Sequence, residues 1–319
     1  MIEKRRLGSS DIEIAPLVLG GNVFGWTADE AASFRILDAF VDAGGTMIDT
    51  ADVYSFWVDG HSGGESETII GAWLTRDRAK RANVQIATKV GFNDGLRPET
   101  VRAACETSLG RLGVDTIDLY YQHKDDPEVP LAESLSAFDA LKREGKIRAV
   151  GLSQFTAERI DAAMDVAAAE GLERPCAFQT WYNLVEREKL EGPLHDAAIR
   201  HGLGIIPFYA LANGFLTGKY RRPEDLAKSV RGERSAEYLH GRGIAVLDAL
   251  DDIAAETGAP LGAIAIAWTL AQPGIAGALA SATTVEQLGD SLEALTLELS
   301  AAQIARLNEA SAAAEAASA

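Results

Sequence analysis

Eight times along the chain a short apolar run is followed by a stretch with helical spacing, and no feature narrows the possible folds more than this alternation. The apolar runs are Val18–Gly20, Thr46–Asp49, Val84–Lys89, Ile117–His123, Ala149–Ser153, Phe178–Tyr182, Gly204–Phe208 and Ile275–Ala280. Helical spacing covers Glu30–Ala43, Glu65–Leu74, Pro98–Leu112, Leu131–Glu144, Ala157–Glu170, Arg187–His201, Leu261–Leu270 and Val285–Leu295. Strand then helix, repeated without a reversal, predicts a parallel sheet that closes on itself, an α/β fold of the (β/α)8 TIM-barrel type.

Three segments stand outside the repeat. Arg6–Ala15, with its Gly-Ser-Ser-Asp turn, predicts an N-terminal β-hairpin over the bottom of the barrel. The polar stretch Arg221–Glu237 reads as a solvated surface loop, and Arg242–Thr257 and the Ala-rich Ala301–Ala314 read as extra C-terminal helices. The 319 residues, 47% of them hydrophobic, suffice for the core of one such barrel, so a single domain over 1–319 is expected.

Thirty basic against forty-seven acidic side chains give a net charge of -17, which repels polyphosphate backbones and argues against a nucleic-acid partner. Only Cys105 and Cys176 are present, too few for a disulfide framework or a cysteine-based zinc site, and no metal is expected. The first residues lack a basic-then-apolar signal, and no run of about 18 apolar residues occurs to span a bilayer. The expectation is a cytoplasmic protein with no membrane partner.

In barrels of this kind the chemistry lies at the carboxyl ends of the strands. The second predicted strand ends MIDTADVY, with Asp49 and then Tyr54; the third ends IATKVG, with Lys89; the fourth ends DLYYQHK, with His123. A phenol, with a reference pKa of about 10, is a poor acid at neutrality, but an ammonium beside it stabilises the phenolate, so Lys89 is expected to lower the Tyr54 value. Asp49 can hold Lys89 charged and oriented, and His123 can hydrogen-bond a substrate oxygen. Each residue also has a plainer reading: Asp49 as a carboxylate bonded to a turn, Tyr54 as packing, His123 as a satisfied polar residue. Lys89 is harder to explain so, because lysine at the inner end of an apolar strand needs a charge partner.

In order and position, IDTADVY, ATK and YYQH resemble the tetrad pattern of the aldo-keto reductase superfamily. The resemblance covers nearly the whole chain through RRLGSSDIEIAPLVLGG, GGESETIIGAWL, VGLSQF, FQTWYNL, PFYALANGFLTGKY and SATTVEQL. It implies an NAD(P)H-dependent enzyme that interconverts aldehydes or ketones and alcohols, with Tyr54 as general acid in reduction and base in oxidation. It also implies a nicotinamide cofactor held without a Rossmann domain, and no G-x-G-x-x-G follows a strand here. Carried over position by position, Gly20, Gly21, Asn22 and Asp49 belong to the cofactor site. Ser153, Gln154 and Gln179 bond the carboxamide, and Phe208 stacks on the nicotinamide. Tyr209, Ala210, Leu211, Gly214 and Lys219 wrap the pyrophosphate, while Ser281, Ala282, Thr283, Gln287, Asp290 and Ser291 surround the adenosine. From their places on predicted loops and strand ends, Trp26, Trp57 and Phe92, with Phe56, Trp181 and Phe215 at the same rim, either line a substrate pocket beside Tyr54 and His123 or serve as ordinary packing.

The chain departs from the family pattern where Gln154 and Ser291 stand at common asparagine positions and Ala210 at a common proline. Thr283 stands where NADP-preferring members often carry a cation, and no basic residue lies between Ala276 and Leu299. Lys219 or an arginine of Arg221–Arg234 is the remaining source of positive charge for a 2'-phosphate; the resemblance makes NADPH the first choice, with NADH the competitor. Two rival functions stand beside the enzyme. One is a cofactor-binding, redox-sensing subunit with the same fold. The other, a barrel glycosidase, needs a second strand-end carboxylate that the chain does not supply. G-F-L-T-G-K-Y has one spacer too few for a phosphate loop of the nucleotide-triphosphatase type.

Overall fold

The computed structural model describes residues 2–312. Strands β1 (Arg5–Arg6) and β2 (Glu13–Ile14) pair antiparallel, a shorter ladder than the expected Arg6–Ala15 hairpin. Gly8 turns between them at φ +54°, where a Cβ would sit 2.0 Å from the Cys176 carbonyl oxygen, so only glycine fits. The hairpin plugs one end of the sheet that follows: Leu7, Ile12 and Ile14 are buried with Met47, Cys176 and Ala276, and Arg5 donates to the Leu270 and Ile275 carbonyls at 2.9 Å.

Eight parallel strands then form the sheet: β3 (Leu17–Gly20), β4 (Met47–Asp49), β5 (Gln85–Val90), β6 (Ile117–Gln122), β7 (Ile147–Ser153), β8 (Ala177–Gln179), β9 (Gly204–Ile205) and β10 (Ala278–Ala280). Their order, β10-β3-β4-β5-β6-β7-β8-β9, brings the first and last strands of the sheet to the same seam. There the Ile205 amide donates to Gly274 O at 3.0 Å, Ala276 to Ile205 O at 2.8 Å and Leu279 to Pro207 O at 2.9 Å, closing the (β/α)8 barrel.

Helices α1 (Glu30–Asp42), α2 (Glu65–Arg76), α3 (Pro98–Leu112), α4 (Leu131–Arg143), α5 (Ala157–Glu170), α6 (Pro193–Arg200), α7 (Arg242–Thr257), α8 (Leu261–Leu270), α9 (Val285–Leu292) and α10 (Ala301–Ala312) surround it. Their ends follow local chemistry. Asp29 caps α1 by accepting from Ala32 N at 2.7 Å, while α3 opens on Pro98 and stops at Gly113 in the left-handed region.

Because side chains alternate across a strand, the sheet divides the apolar residues into two cores. Leu19, Ile48, Ile86, Tyr120 and Val150 face the helices, whereas Val18, Met47, Ala87, Leu119, Tyr121 and Ala149 fill the barrel. Continued two residues along each strand, the inward period reaches Gly20, Asp49, Lys89, His123 and Gly151, and it is this parity that delivers the polar residues to one end.

Two expectations are corrected. The helix expected over Arg187–His201 is a 3-10 turn at Arg187–Lys189 followed by α6, because Gly192 at φ +94° and Pro193 at the first helical position break the run. The stretch expected as a solvated loop holds two 3-10 helices, Pro223–Lys228 and Gly232–Tyr238, packed down by buried Tyr220 and Tyr238. Of the helix expected to reach Ala314, the last two residues, 313 and 314, lie outside the described residues. Among the described residues no single helix is long and apolar enough to cross a membrane.

Candidate active site

At the carboxyl end of the barrel, Asp49 and Lys89 are buried and joined in an ion pair. Register explains why they meet: Asp49 lies opposite Ala87 and Lys89 opposite Tyr121, so both project inward from neighbouring strands. The Lys89 ammonium also donates to Thr50 O at 2.7 Å and to the Tyr54 hydroxyl at 3.0 Å, while Gln179 Nε2 donates to the second Asp49 oxygen at 2.9 Å. Burial alone disfavours the lysine charge, but Asp49 and Tyr54 together raise its pKa above the ordinary value. Burial raises the Asp49 value, against the opposing pull of Lys89.

Tyr54 corrects the sequence-based expectation. Its pKa is pushed up to about 12, because burial of the phenol and the Asp49 charge outweigh the Lys89 ammonium. The hydroxyl therefore holds its proton throughout the physiological range. His123, next along the ladder with its amide on Val90 O at 2.8 Å, is held well below the usual imidazole range by burial and by Lys89 and Lys124. It is neutral, and its Nδ1 has no protein partner.

Above these four groups opens a cavity of about 900 Å³. Tyr54 and His123 line it, as do Asn22, Ser153, Gln154, Gln179, Phe208, Tyr209, Ala210, Leu211, Gly214 and Lys219, and from the far wall Ser281, Thr283, Gln287, Asp290 and Ser291. The residues singled out from β3, β7, β8, β9 and α9 thus converge on one space. Gly20, Gly21 and Ala282 do not line it and act behind the wall: a Cβ on Gly20 would lie 2.5 Å from Ser281 Oγ, and the Gly21 amide binds Asp49 O at 2.7 Å. Of the pocket aromatics, Trp57 and Phe92 line the cavity, with Phe56 and Trp181. Trp26 stands one layer out, edge to face with Trp57 at 5.5 Å, and Phe215 is buried against Tyr238 instead.

Several polar atoms beside the cavity are buried without a protein partner: Ser153 Oγ, Asn213 Oδ1, His123 Nδ1 and Arg231 Nη2. Buried polar atoms are normally paired, so these four are left available to a ligand in the cavity. Arg231 was legible only as one of several arginines in a polar stretch. Arg221 is paired with Asp251 and Arg222 with Glu224, but Arg231 has no ion-pair partner among the described residues and lies over the Trp26 ring at 5.0 Å. Burial lowers its pKa from the ordinary guanidinium value. The signal that could have found it is the apolar anchoring of its segment by Tyr220, Leu226 and Tyr238. Among the described residues no group of three or more His, Cys, Asp or Glu side chains could hold a metal ion.

The model of the aldo/keto reductase family matches residues 16–312. The chain belongs to the aldo/keto reductase family. Among its relatives, the "Uncharacterized oxidoreductase YrpG" of Bacillus subtilis is 33% identical over 321 residues, spanning 97% of this chain and 95% of that one. Human "Aflatoxin B1 aldehyde reductase member 4" is 32% identical over 90% of this chain and 88% of its own. The "Probable voltage-gated potassium channel subunit beta" of Oryza sativa subsp. japonica is 30% identical over 92% and 91%. Aldo/keto reductases are oxidoreductases that generally use NAD(P)H and act on small-molecule carbonyl compounds.

Proposed function

We propose that this chain interconverts aldehydes or ketones and alcohols, with Tyr54 giving or taking the proton at the reacting oxygen. The observation that carries this reading is the Tyr54 hydroxyl 3.0 Å from a lysine ammonium that is itself ion-paired to Asp49, at the floor of a large cavity. NAD(P)H would supply the hydride in reduction, and NAD(P)+ would accept it in oxidation. The residues present suit such a group: Ser153 Oγ offers an unpaired hydroxyl to a carboxamide, and Arg231 and Lys219 offer cations without ion-pair partners among the described residues to its phosphates. NADPH is the preferred form, since its added phosphate uses that unspent positive charge, and NADH is the competitor.

In reduction Tyr54 protonates the oxygen as negative charge develops there, and Lys89 stabilises the phenolate left behind. Neutral His123 offers a hydrogen bond that orients the carbonyl. Asp49 and Gln179 hold the ammonium in place. The whole of 1–319 works in this reading as one barrel domain, in the cytoplasm, without nucleic-acid or membrane partners.

Two measurements test it. Titration with NADPH and with NADH, followed by a panel of aldehydes, ketones and alcohols read by nicotinamide absorbance, should show binding and turnover; absence of cofactor binding would sink the reading. A second reading, a cofactor-binding subunit that senses redox state for a partner protein, is favoured by the likeness to the rice channel subunit and requires binding without turnover of any carbonyl. The pH profile is the other test. A donor at about 12 stays protonated where an ordinary phenol at about 10 does not. Reduction should therefore stay flat from about pH 8 to 10, while alcohol oxidation, which needs the phenolate, rises across that window. It lies above the titration of half-buried Asp52, whose carboxyl desolvation and Glu67 push up to about 7. A reductive rate that halves by pH 10, as a phenol at about 10 would give, contradicts a donor at about 12.

A further inference from the structure

Directly after the proton donor stands a residue with a strained backbone. Ser55 has φ +77°, the largest such angle among the non-glycine residues of the left-handed region in the described chain. Glycine reaches that region freely and a residue with a Cβ does so at a cost, so what serine adds here is its hydroxyl. Ser55 is fully buried, does not line the cavity, and donates from Oγ to the Phe24 carbonyl at 2.9 Å. Its hydroxyl acts on the protein and not on a ligand.

Phe24 is a firm point to be tied to. Its amide donates to Gly21 O at 3.0 Å, Ser66 Oγ donates to the same oxygen at 2.8 Å, and the Gly21 amide donates to Asp49 O at 2.7 Å. A Cβ on Gly21 would lie 2.8 Å from Ser66 Oγ and 3.1 Å from Asp49 O, so this approach needs glycine. The contacts form a closed circuit. From the Tyr54 hydroxyl it runs to Lys89, to Asp49, to Gly21, to Phe24, to Ser55 and back along one peptide to Tyr54. The other fastenings of Asp52 and Tyr54 are longer: the Asp52 amide to Lys89 O, the Tyr54 amide to Ala51 O and the Gly64 amide to Tyr54 O each span 3.2 Å, and Arg111 reaches Asp52 O at 3.3 Å.

We propose that Ser55 is a positioning residue: its hydroxyl bond to Phe24 closes the circuit that holds the Tyr54 phenol against Lys89 at the place where the proton passes. The proposal rests on the carbonyl-reductase reading above. Without that bond the turn keeps only its longer fastenings, and displacing a reacting group by about an ångström costs up to roughly a hundredfold in rate.

The test follows reduction of 4-nitrobenzaldehyde by NADPH in the wild type, Ser55→Gly, Ser55→Ala and Tyr54→Phe. In both Ser55 variants kcat should fall by about ten- to a hundredfold, with the KM for the aldehyde and the Kd for NADPH, read from protein fluorescence, within a few-fold of the wild type. Ser55→Gly should melt above Ser55→Ala, because glycine adopts φ +77° without strain, so a rate that is low in both does not follow stability. Adding Ser55→Gly to Tyr54→Phe should cost less than about twofold more, since a residue that acts by placing the hydroxyl has nothing left to place. Wild-type kcat in both Ser55 variants, or a loss that multiplies with that of Tyr54→Phe, overturns the proposal and leaves the reductase reading intact. NADPH binding without turnover by the wild type, or a Tyr54→Phe variant with most of its activity, overturns both.

Discussion

Tyr54→Phe is expected to lower turnover by about 10² to 10⁴, the usual contribution of a positioned general acid, while leaving cofactor affinity within a few-fold of the wild type. The substitution keeps the ring, and with it the contacts to Trp57 and His123 at 6.2 and 6.0 Å, and removes only the hydroxyl that meets Lys89. One lost hydrogen bond costs roughly 1 kcal/mol in stability, too little to unfold a barrel of this size. The defect should therefore appear in kcat, with a nearly unchanged melting temperature. A variant that retained most of its activity would remove Tyr54 from the reaction.

Lys89→Met should be worse in a second way. It removes the charge that stabilises the departing phenolate, so turnover should fall to a similar degree with cofactor binding preserved. It also leaves the Asp49 carboxylate buried with only Gln179 as a partner. Removing one member of a buried ion pair costs about 3–5 kcal/mol, because the other charge stays desolvated. Thermal unfolding should accordingly drop by several degrees, unlike that of Tyr54→Phe. The double variant Asp49→Asn with Lys89→Met should regain most of that stability and none of the activity, a coupling expected for residues in contact. Equal melting temperatures for the single variant and the wild type would mean that the pair is solvated, contrary to its burial.

The two predictions show what could be read from residues in order and what could not. The barrel was legible because the spacing of apolar residues switches between a period of two and a helical one. The helix that failed, Arg187–His201, did so at Gly192-Pro193, where local backbone chemistry overrides the periodic signal. The tetrad was legible because Asp49, Lys89 and His123 stand at or beside the ends of their strands, where parity forces them into the same interior, with Tyr54 in the loop five residues on from Asp49. The Tyr54 pKa was not, since an ammonium neighbour can be foreseen but the desolvation that outweighs it depends on everything packed around the phenol. Arg231 was hidden for a related reason: a charged stretch reads as solvated unless the tyrosines that pin it down are weighed more heavily than its charges.

The seam between β9 and β10 carries a consequence for how the molecule moves. The ladders around the barrel run from two register pairs, between β8 and β9, to five, between β6 and β7, and the join itself rests on amide bonds to Gly274, Ile205 and Pro207. The segments just beyond it, Phe208–Leu211 on one side and Ser281 and Thr283 on the other, both line the cavity, so a long guest touching both would act as a staple across the join.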